Sequence, residues 1–310
     1  MKIFKNDINV EDKNKLEEYL LAVDHESAAQ CFSGLYMWRG IHDFCWEDID
    51  GYLCVEGHYR PQQDEDRLVH YMFPPIPKSG EFKVDELRKV IAKVQVMFAE
   101  AGEDFMIKRL PGSMKPVFEE AFPDAEIVED RTYFDYVYSL EELVELRGKR
   151  FHGKKNHLNG FNKTYEHEIR AFDHSMVFEV LDLVDRINAS RDDTPEDAAA
   201  LKYERDAMVD ALENAEALGL IGCGIYIDDR MEAFAIGGKV SDKMITEHIE
   251  KANIQFRGAY SAINHAFCVM AQEAGYTLVN REEDMGSENL RKSKLSYHPV
   301  KLVEKYHLYL

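Results

Sequence analysis

Residues 244–282, MITEHIEKANIQFRGAYSAINHAFCVMAQEAGYTLVNRE, read as a strand, a loop, a helix and a second strand. MITEHIEKA has the β-branched, alternating character of a strand. FRGAYSAINHAFCVMAQEAG supplies a helix with the loop that leads into it, and Gly275 stops that helix as a C-terminal glycine does. YTLVNRE then returns as a strand.

The same order occurs once before. A short apolar run from Tyr71 ends in prolines, and VDELRKVIAKVQVMFAEAG follows with Leu87, Val90, Ile91, Val94, Met97 and Phe98 at helical spacing. Gly102 ends this helix, and DFMIKRL is the next strand. Both helices close on the tripeptide Glu-Ala-Gly, at 100–102 and 273–275, so the two halves read as copies of one architecture.

Each unit is preceded by helices and a hairpin. In the first half the helices are expected near Glu11–Val23 and Ser27–Arg39, with a hairpin turning at Asp50-Gly51. In the second, Met176–Ser190 and Pro195–Leu218 read as helices, Thr194 capping the latter with Pro195 at its first position. A hairpin turning near Asp228-Asp229-Arg230 comes next. This order predicts an α+β fold with a mixed, mainly antiparallel sheet flanked by helices in each half. It lacks regular βαβ alternation, and the glycines form neither G-x-G-x-x-G nor a Walker motif.

The chain has 310 residues, 45% hydrophobic and 31% charged, with a formal net charge of -20. That suits folded domains and argues against a protein that coats nucleic acid generally. No apolar run approaches the roughly 18 residues that span a bilayer. The charged N-terminus has no signal-peptide core, so a cytoplasmic location is expected. Cys31, Cys45, Cys54, Cys223 and Cys268 show no C-x-x-C spacing and read as small buried hydrophobes rather than disulfides or zinc ligands. No metal is implied, because the acids and histidines adopt no ligand spacing.

Against that acidity, RGKRFHGKKNHLNGFNK, residues 147–163, carries Arg147, Lys149, Arg150, Lys154, Lys155 and Lys163 and no acid. Such a segment has an anionic partner, marks an inter-domain seam, or is a solvated face. The seam is expected near residue 140, giving domains at 1–140 and 141–310. No Pro/Gly/Ser linker interrupts the chain there, which predicts domains packed together rather than tethered.

LYMWRG (35–40), RTYFDYVYSLEELVELRGKRFHGKKNHLNGFNK (131–163) and NREEDMGSENLRKSKLSYHPVKLVEKY (280–306) together resemble one family. It comprises soluble bacterial proteins sharing the C-terminal domain of phosphatidylglycerol lysyltransferases, and the resemblance runs over essentially the whole chain. It implies two tandem domains of the GCN5-related N-acetyltransferase type. Fem-type peptidyltransferases, which take amino acids from aminoacyl-tRNA, use the same arrangement. It also implies that the donor lies against the strand and loop before the main helix, here MITEHIEKA and NIQFRGAYSAIN.

At that loop Arg257, Gly258, Ala259 and Tyr260 are the candidate donor-binding residues, since backbone amides and the helix dipole favour a phosphate there. Acetyl-CoA enzymes show a glycine-richer loop; here Ser261 or Ala262 stands for the second glycine. Alternatively, Gly258 only eases the turn into the helix. Strand alternation puts Thr246, His248 and Glu250 on one face, with Ile245, Glu247, Ile249 and Lys251 on the other. His248 and Glu250 are therefore the candidate bases, a salt bridge being the other use for Glu250.

Tyr297 in LSYHP matches the position where related acyltransferases place a tyrosine acid; as one of sixteen tyrosines it reads equally as core. Arg291, Lys292 and Lys294, joined by Arg150, Lys154 and Lys155, are candidate contacts for a phosphate-bearing donor or tRNA. Asp284 is a candidate for orienting those cations or an incoming amine. Phe151, Phe161 and Tyr260 are candidate stacking partners for its bases or else core residues.

In the first half, PPIPKSGEF offers no basic residue beyond Lys78, and its prolines remove amides a phosphate would need. The N-terminal domain is expected to have lost donor binding and to shape one wall of the acceptor cleft. The expected activity is transfer of an activated acyl group, with an amino acid from aminoacyl-tRNA as the leading candidate, to an amine or hydroxyl of a small-molecule or peptide acceptor. The alternatives are an acetyl-CoA-dependent N-acetyltransferase and a non-catalytic binding protein on the same fold. In either enzyme the donor is a co-substrate, with no cofactor tightly bound.

Overall fold

The computed structural model describes residues 2–60, 67–189 and 195–310. The chain forms two compact units. Met1–Asp135, Glu283–Gly286 and Val303–Leu310 make the first; Tyr136–Glu282 and Ser287–Leu302 make the second. The division is thus not a single cut near residue 140, because the last strand of the chain completes the first unit's sheet.

In chain order the strands are β1 (Asn6–Asp7), β2 (Cys45–Ile49), β3 (Tyr52–Tyr59), β4 (Val69–Met72), β5 (Ile76–Pro77), β6 (Met106–Pro111) and β7 (Glu126–Glu129). Then come β8 (Asp135–Ser139), β9 (Glu168–Ala171), β10 (Ile221–Ile227), β11 (Arg230–Lys239), β12 (Met244–Ala252), β13 (Leu278–Asn280), β14 (Lys301–Val303) and β15 (Lys305–Tyr309). Among the described residues one sheet runs β1-β2-β3-β4-β6-β15-β7, with β5 beside β3, and the other β14-β8-β13-β12-β11-β10-β9. Pairing is mainly antiparallel, but β4–β6 and β12–β13 are parallel. A parallel pair needs a long crossover, and the two matching helices, Val84–Ala101 and Ala259–Glu273, supply it.

The helix Val84–Ala101 buries Leu87, Val90, Ile91, Val94 and Phe98, each worth roughly 1.5–3 kcal/mol when withdrawn from water. Gly102, at φ 77°, ends it in the left-handed region. The helix Ala259–Glu273 buries Ala262, Ile263, Ala266, Phe267, Cys268 and Ala271 in the second unit's core, with Ile225, Ala233, Ile245 and Val279 from the sheet.

Both hairpins turn where the sequence places them. Asp50-Gly51 (φ 52° and 82°) and Asp228-Asp229 (φ 51° and 59°) have positive φ at both central residues, the twist that suits a two-residue hairpin. The first helices are shorter than periodicity suggests. Lys13–Leu20 follows a 3-10 turn at Val10–Asp12, and Ser27–Arg39 becomes a 3-10 turn, Ala28–Gln30, and a helix, Phe32–His42. Cys31 causes that break: it is extended, and its sulfur accepts the Gly34 amide as a cap. Of the other helices, Val177–Ala189 and Pro195–Glu213 are present, Ala215–Leu218 is separate, and the cap residue Thr194 lies outside the described residues. All five cysteines are buried free thiols. No helix among the described residues is long and apolar enough to cross a membrane.

Candidate functional site

In the second unit β12 and β13 pair through Met244↔Leu278, Ile245↔Val279 and Thr246↔Asn280, and then part. At that point β12 carries a bulge. Against β11, Ile249 faces Ile236 and Glu247 faces Gly237, so His248 is an extra residue. Gly237 makes this possible: a Cβ there would stand 2.0 Å from the Thr246 carbonyl oxygen.

The extra residue breaks the alternation expected along MITEHIEKA. Glu247 and Glu250 do not face opposite ways; both reach the guanidinium of Arg281, just beyond β13. Its Nε donates to Glu247 Oε2 at 2.6 Å and its Nη2 to Glu250 Oε2 at 2.7 Å. Asn264, in the crossover helix, adds a second donor to Glu250 Oε2 at 3.1 Å. His248 goes elsewhere: its side chain is 1% exposed and its Nδ1 lies 2.8 Å from Glu282 Oε1.

Glu250 and Arg281 line a cavity of about 360 Å³ with Lys154, Arg257, Gly258, Ala259, Tyr260, Ser261 and Tyr297. It opens at the N-terminus of the helix Ala259–Glu273, whose positive end favours an anion. Arg257 and His157 also line a second hollow, of about 550 Å³, along the helix His152–Thr164. Gly258 has φ 93° and lies so near that helix that a Cβ would come within 2.7 Å of the His157 carbonyl oxygen. It is therefore a turn glycine and a close-approach glycine at once.

The polar groups here have shifted protonation. Burial, and then the Glu250 charge, pushes Glu247 up to about 8. Burial, and then the Arg281 charge, brings Lys154 down to about 8. Its ammonium sits 3.6 Å above the Tyr297 ring, with Arg281 5.0 Å from the same ring. Tyr297 is 6% exposed, and burial pushes its hydroxyl up to about 12, keeping it a proton donor. A glutamate held by two donors, a buried tyrosine hydroxyl and a lysine lowered to about 8 thus share one cavity.

The other cations scatter. Arg150 pairs with Glu142, and Lys292 stands 3.8 Å from Glu288 at the surface. Lys294 is buried, and its ammonium donates to the carbonyls of Arg281 and Glu282. It holds the cavity's arginine in place rather than meeting a ligand. Lys155 is exposed and Arg291 half-buried, and neither lines the cavity. Phe151 and Phe161 are 1% and 0% exposed, so they are core; Tyr260, 40% exposed, is the aromatic that remains open. Asp284 belongs to the first unit, where it pairs with Arg131 at 3.3 Å.

Sequence reading missed Arg281 and the facing of Glu247. Arg281 sits past a strand of only three residues, where periodicity carries no signal. The Gly237-Gly238 pair was the available hint of a bulge.

The chain is similar to several known proteins. A conserved protein of unknown function from Bacteroides thetaiotaomicron VPI-5482 is 31% identical, with 100% of both chains covered and a TM-score of 0.87. The L-PGS structure from Bacillus licheniformis has a TM-score of 0.65 at 14% identity, covering 100% of this chain and 94% of that one. FemX gives 0.65 at 10% identity, with 98% and 96% covered. An uncharacterized protein of Mycoplasmoides gallisepticum is 25% identical over 186 residues, 59% of this chain and 58% of that protein. The fold, with a mixed, mainly antiparallel sheet and flanking helices in each half, is the one these solved structures share. The family model described as "Phosphatidylglycerol lysyltransferase, C-terminal" matches residues 22–309, and this chain belongs to that family.

Proposed function

We propose that this protein is an acyl-group transferase that uses the cavity of the second unit, with aminoacyl-tRNA as donor and an amine or hydroxyl compound as acceptor. The observation that carries the reading is the meeting of Glu250, Arg281, Lys154 and Tyr297 in one cavity at a helix N-terminus. Membership of a family named for lysyl transfer supports an acyl-type reaction.

In the proposed step the acceptor's lone pair attacks the ester carbonyl, and Glu250 takes the acceptor's proton. The developing oxyanion faces the positive end of the helix Ala259–Glu273. The carbon–oxygen ester bond then breaks, and Tyr297 protonates the departing ribose oxygen. Arg281 and Asn264 hold Glu250 in position. Arg257, exposed at the rim and shared with the hollow along His152–Thr164, meets the donor's phosphates.

Filter binding of charged tRNA and of CoA at two salt concentrations tests the donor. Tight tRNA binding that weakens steeply with salt, and weakens markedly in Arg257→Ala without loss of fold, is expected. Binding of CoA alone, with acetyl transfer, would move the assignment to an N-acetyltransferase. Binding of neither would leave a fold without this chemistry.

A further inference from the structure

The parallel strands of the first unit also part, and what stands there differs in kind. β4 and β6 pair at Met72↔Ile107, and the next residues of β6 are Lys108 and Arg109. By register from the last parallel bridge, Lys108 corresponds to Arg281, which follows Thr246↔Asn280. In the second unit two glutamates face that cation. In the first, the opposite strand continues as Phe73-Pro74-Pro75-Ile76 and offers no acid.

β6 is bulged here too. Against β15, Leu308 faces Ile107 and Tyr306 faces Leu110, so Lys108 and Arg109 together oppose His307. Arg109 takes up the extra residue with φ 59°, a left-handed conformation that side-chain-bearing residues seldom adopt. Its amide donates to His307 Nδ1 at 3.4 Å, and His307 Nε2 is 3.0 Å from Asp130 Oδ2, which fixes the imidazole in one tautomer. Two consecutive cations are thereby held at one spot in a chain of net charge -20.

Aromatic rings receive both cations, and Arg109 also pairs with one carboxylate. The Lys108 ammonium is 3.7 Å from the Tyr59 ring centre and 5.7 Å from that of Tyr71. Among the described residues it has no hydrogen-bond or ion-pair partner; Asp130 attracts it only from a distance. The Arg109 guanidinium lies 4.5 Å over Tyr133, and its nearest acid, Glu283, is 3.9 Å away. The field is positive enough to register on neighbours. Burial first, and then the Arg109 charge, lowers both His42, to about 4, and Lys108, to about 8.

We propose that the first unit carries an anion site of its own, built from Lys108 and Arg109 on this bulge and walled by Tyr59, Tyr71 and Tyr133, and that its ligand is a phosphate-bearing small molecule. An ammonium beside a guanidinium fork suits the multiple charge of a phosphate better than a single carboxylate. The tyrosine walls accept a flat or apolar group attached to it. Side chains, not main-chain amides, do the holding, since prolines occupy the facing strand at 74 and 75. The site is independent of acyl transfer, because its occupancy is a matter of binding alone.

Titration calorimetry with pyrophosphate on the full chain tests this, with acetate as control. Lys108→Met should bind pyrophosphate about tenfold more weakly than wild type or worse, and Lys108→Arg should recover most of the affinity. Should Lys108→Met melt well below wild type, Lys108→Gln removes the same charge. The proposal is overturned if wild type shows no saturable binding, if acetate binds as well as pyrophosphate, or if neutral variants at 108 bind like wild type. Loss in Arg257→Ala in place of the Lys108 variants would move the phosphate to the second unit and overturn it equally.

Discussion

Nη2 of Arg281 stands 2.7 Å from Oε2 of Glu250, across a gap between strands that were paired one residue earlier. The same guanidinium holds Glu247 on its other edge. A cation that is 10% exposed, serving two carboxylates, is the structural centre of the proposed site. Removing it leaves both acids in a low-dielectric pocket. Arg281→Met is expected to lower unfolding stability by about 3–5 kcal/mol in urea titrations. Arg281→Lys should recover part of this. A wild-type midpoint in the methionine variant would show that the acids find other partners.

Glu247 makes a pH-dependent contribution whose sign follows from its raised value. A carboxyl that ionises near 4.5 in the unfolded chain and near 8 in the folded one binds more protons when folded. Its contribution to stability is therefore complete below about 4.5 and is lost as pH rises through about 8. Glu247→Gln, neutral at every pH, should lose less stability than wild type between pH 5 and 9. Parallel melting-temperature curves for the two proteins would contradict the assignment.

Tyr297→Phe keeps the ring beneath Lys154 and removes the hydroxyl. If that hydroxyl protonates the leaving oxygen, kcat should fall by about a hundredfold or more with KM little changed. An equal rise in KM with unaltered kcat would instead make Tyr297 a binding residue.

Gly237→Ala tests the bulge. The added methyl cannot occupy a point 2.0 Å from the Thr246 carbonyl, so one strand must move. A destabilisation of about 2–3 kcal/mol is expected, together with reduced activity as Glu247 and Glu250 lose their common facing. A structure of the variant with the Arg281 pairs intact would argue against this coupling.

His25 sets an acid limit for the first unit. It is 1% exposed; Nδ1 accepts the Ser27 amide and Nε2 bonds the Leu20 carbonyl, so both nitrogens are used in the neutral ring. Burial, and then the Lys305 charge, lowers it to about 4. The contribution is present above about 6.5 and is lost as pH falls through about 4, worth roughly 3 kcal/mol over that range. An imidazole signal of His25 titrating near 6.5 would refute it.

Several of these features were legible without coordinates. The glycines at 102 and 275, the turns at Asp50-Gly51 and Asp228-Asp229, and the helical spacing from Leu87 to Phe98 are local signals, and each corresponds to what the chain does there. Glu250 was singled out from the implied strand, Arg257 from the implied loop and Tyr297 from the final segment, and they line one cavity with Lys154. His248, named from the same strand, and Lys294, named from a cationic cluster, have other work, one bonded to Glu282 and the other to backbone carbonyls.

By itself, then, the sequence determined the order of elements, the repeated strand–helix–strand plan and the family, because periodicity, turn chemistry and long motifs are properties of neighbouring residues. Only the tertiary structure decided which way Glu247 faces, that Arg281 joins it to Glu250, and that Lys108 and Arg109 stand together without a facing acid on the parallel strand. Each depends on a bulge, where one strand takes an extra residue relative to its partner. A one-residue slip reverses every later side chain, and nothing within the strand records it, since the register belongs to the pair.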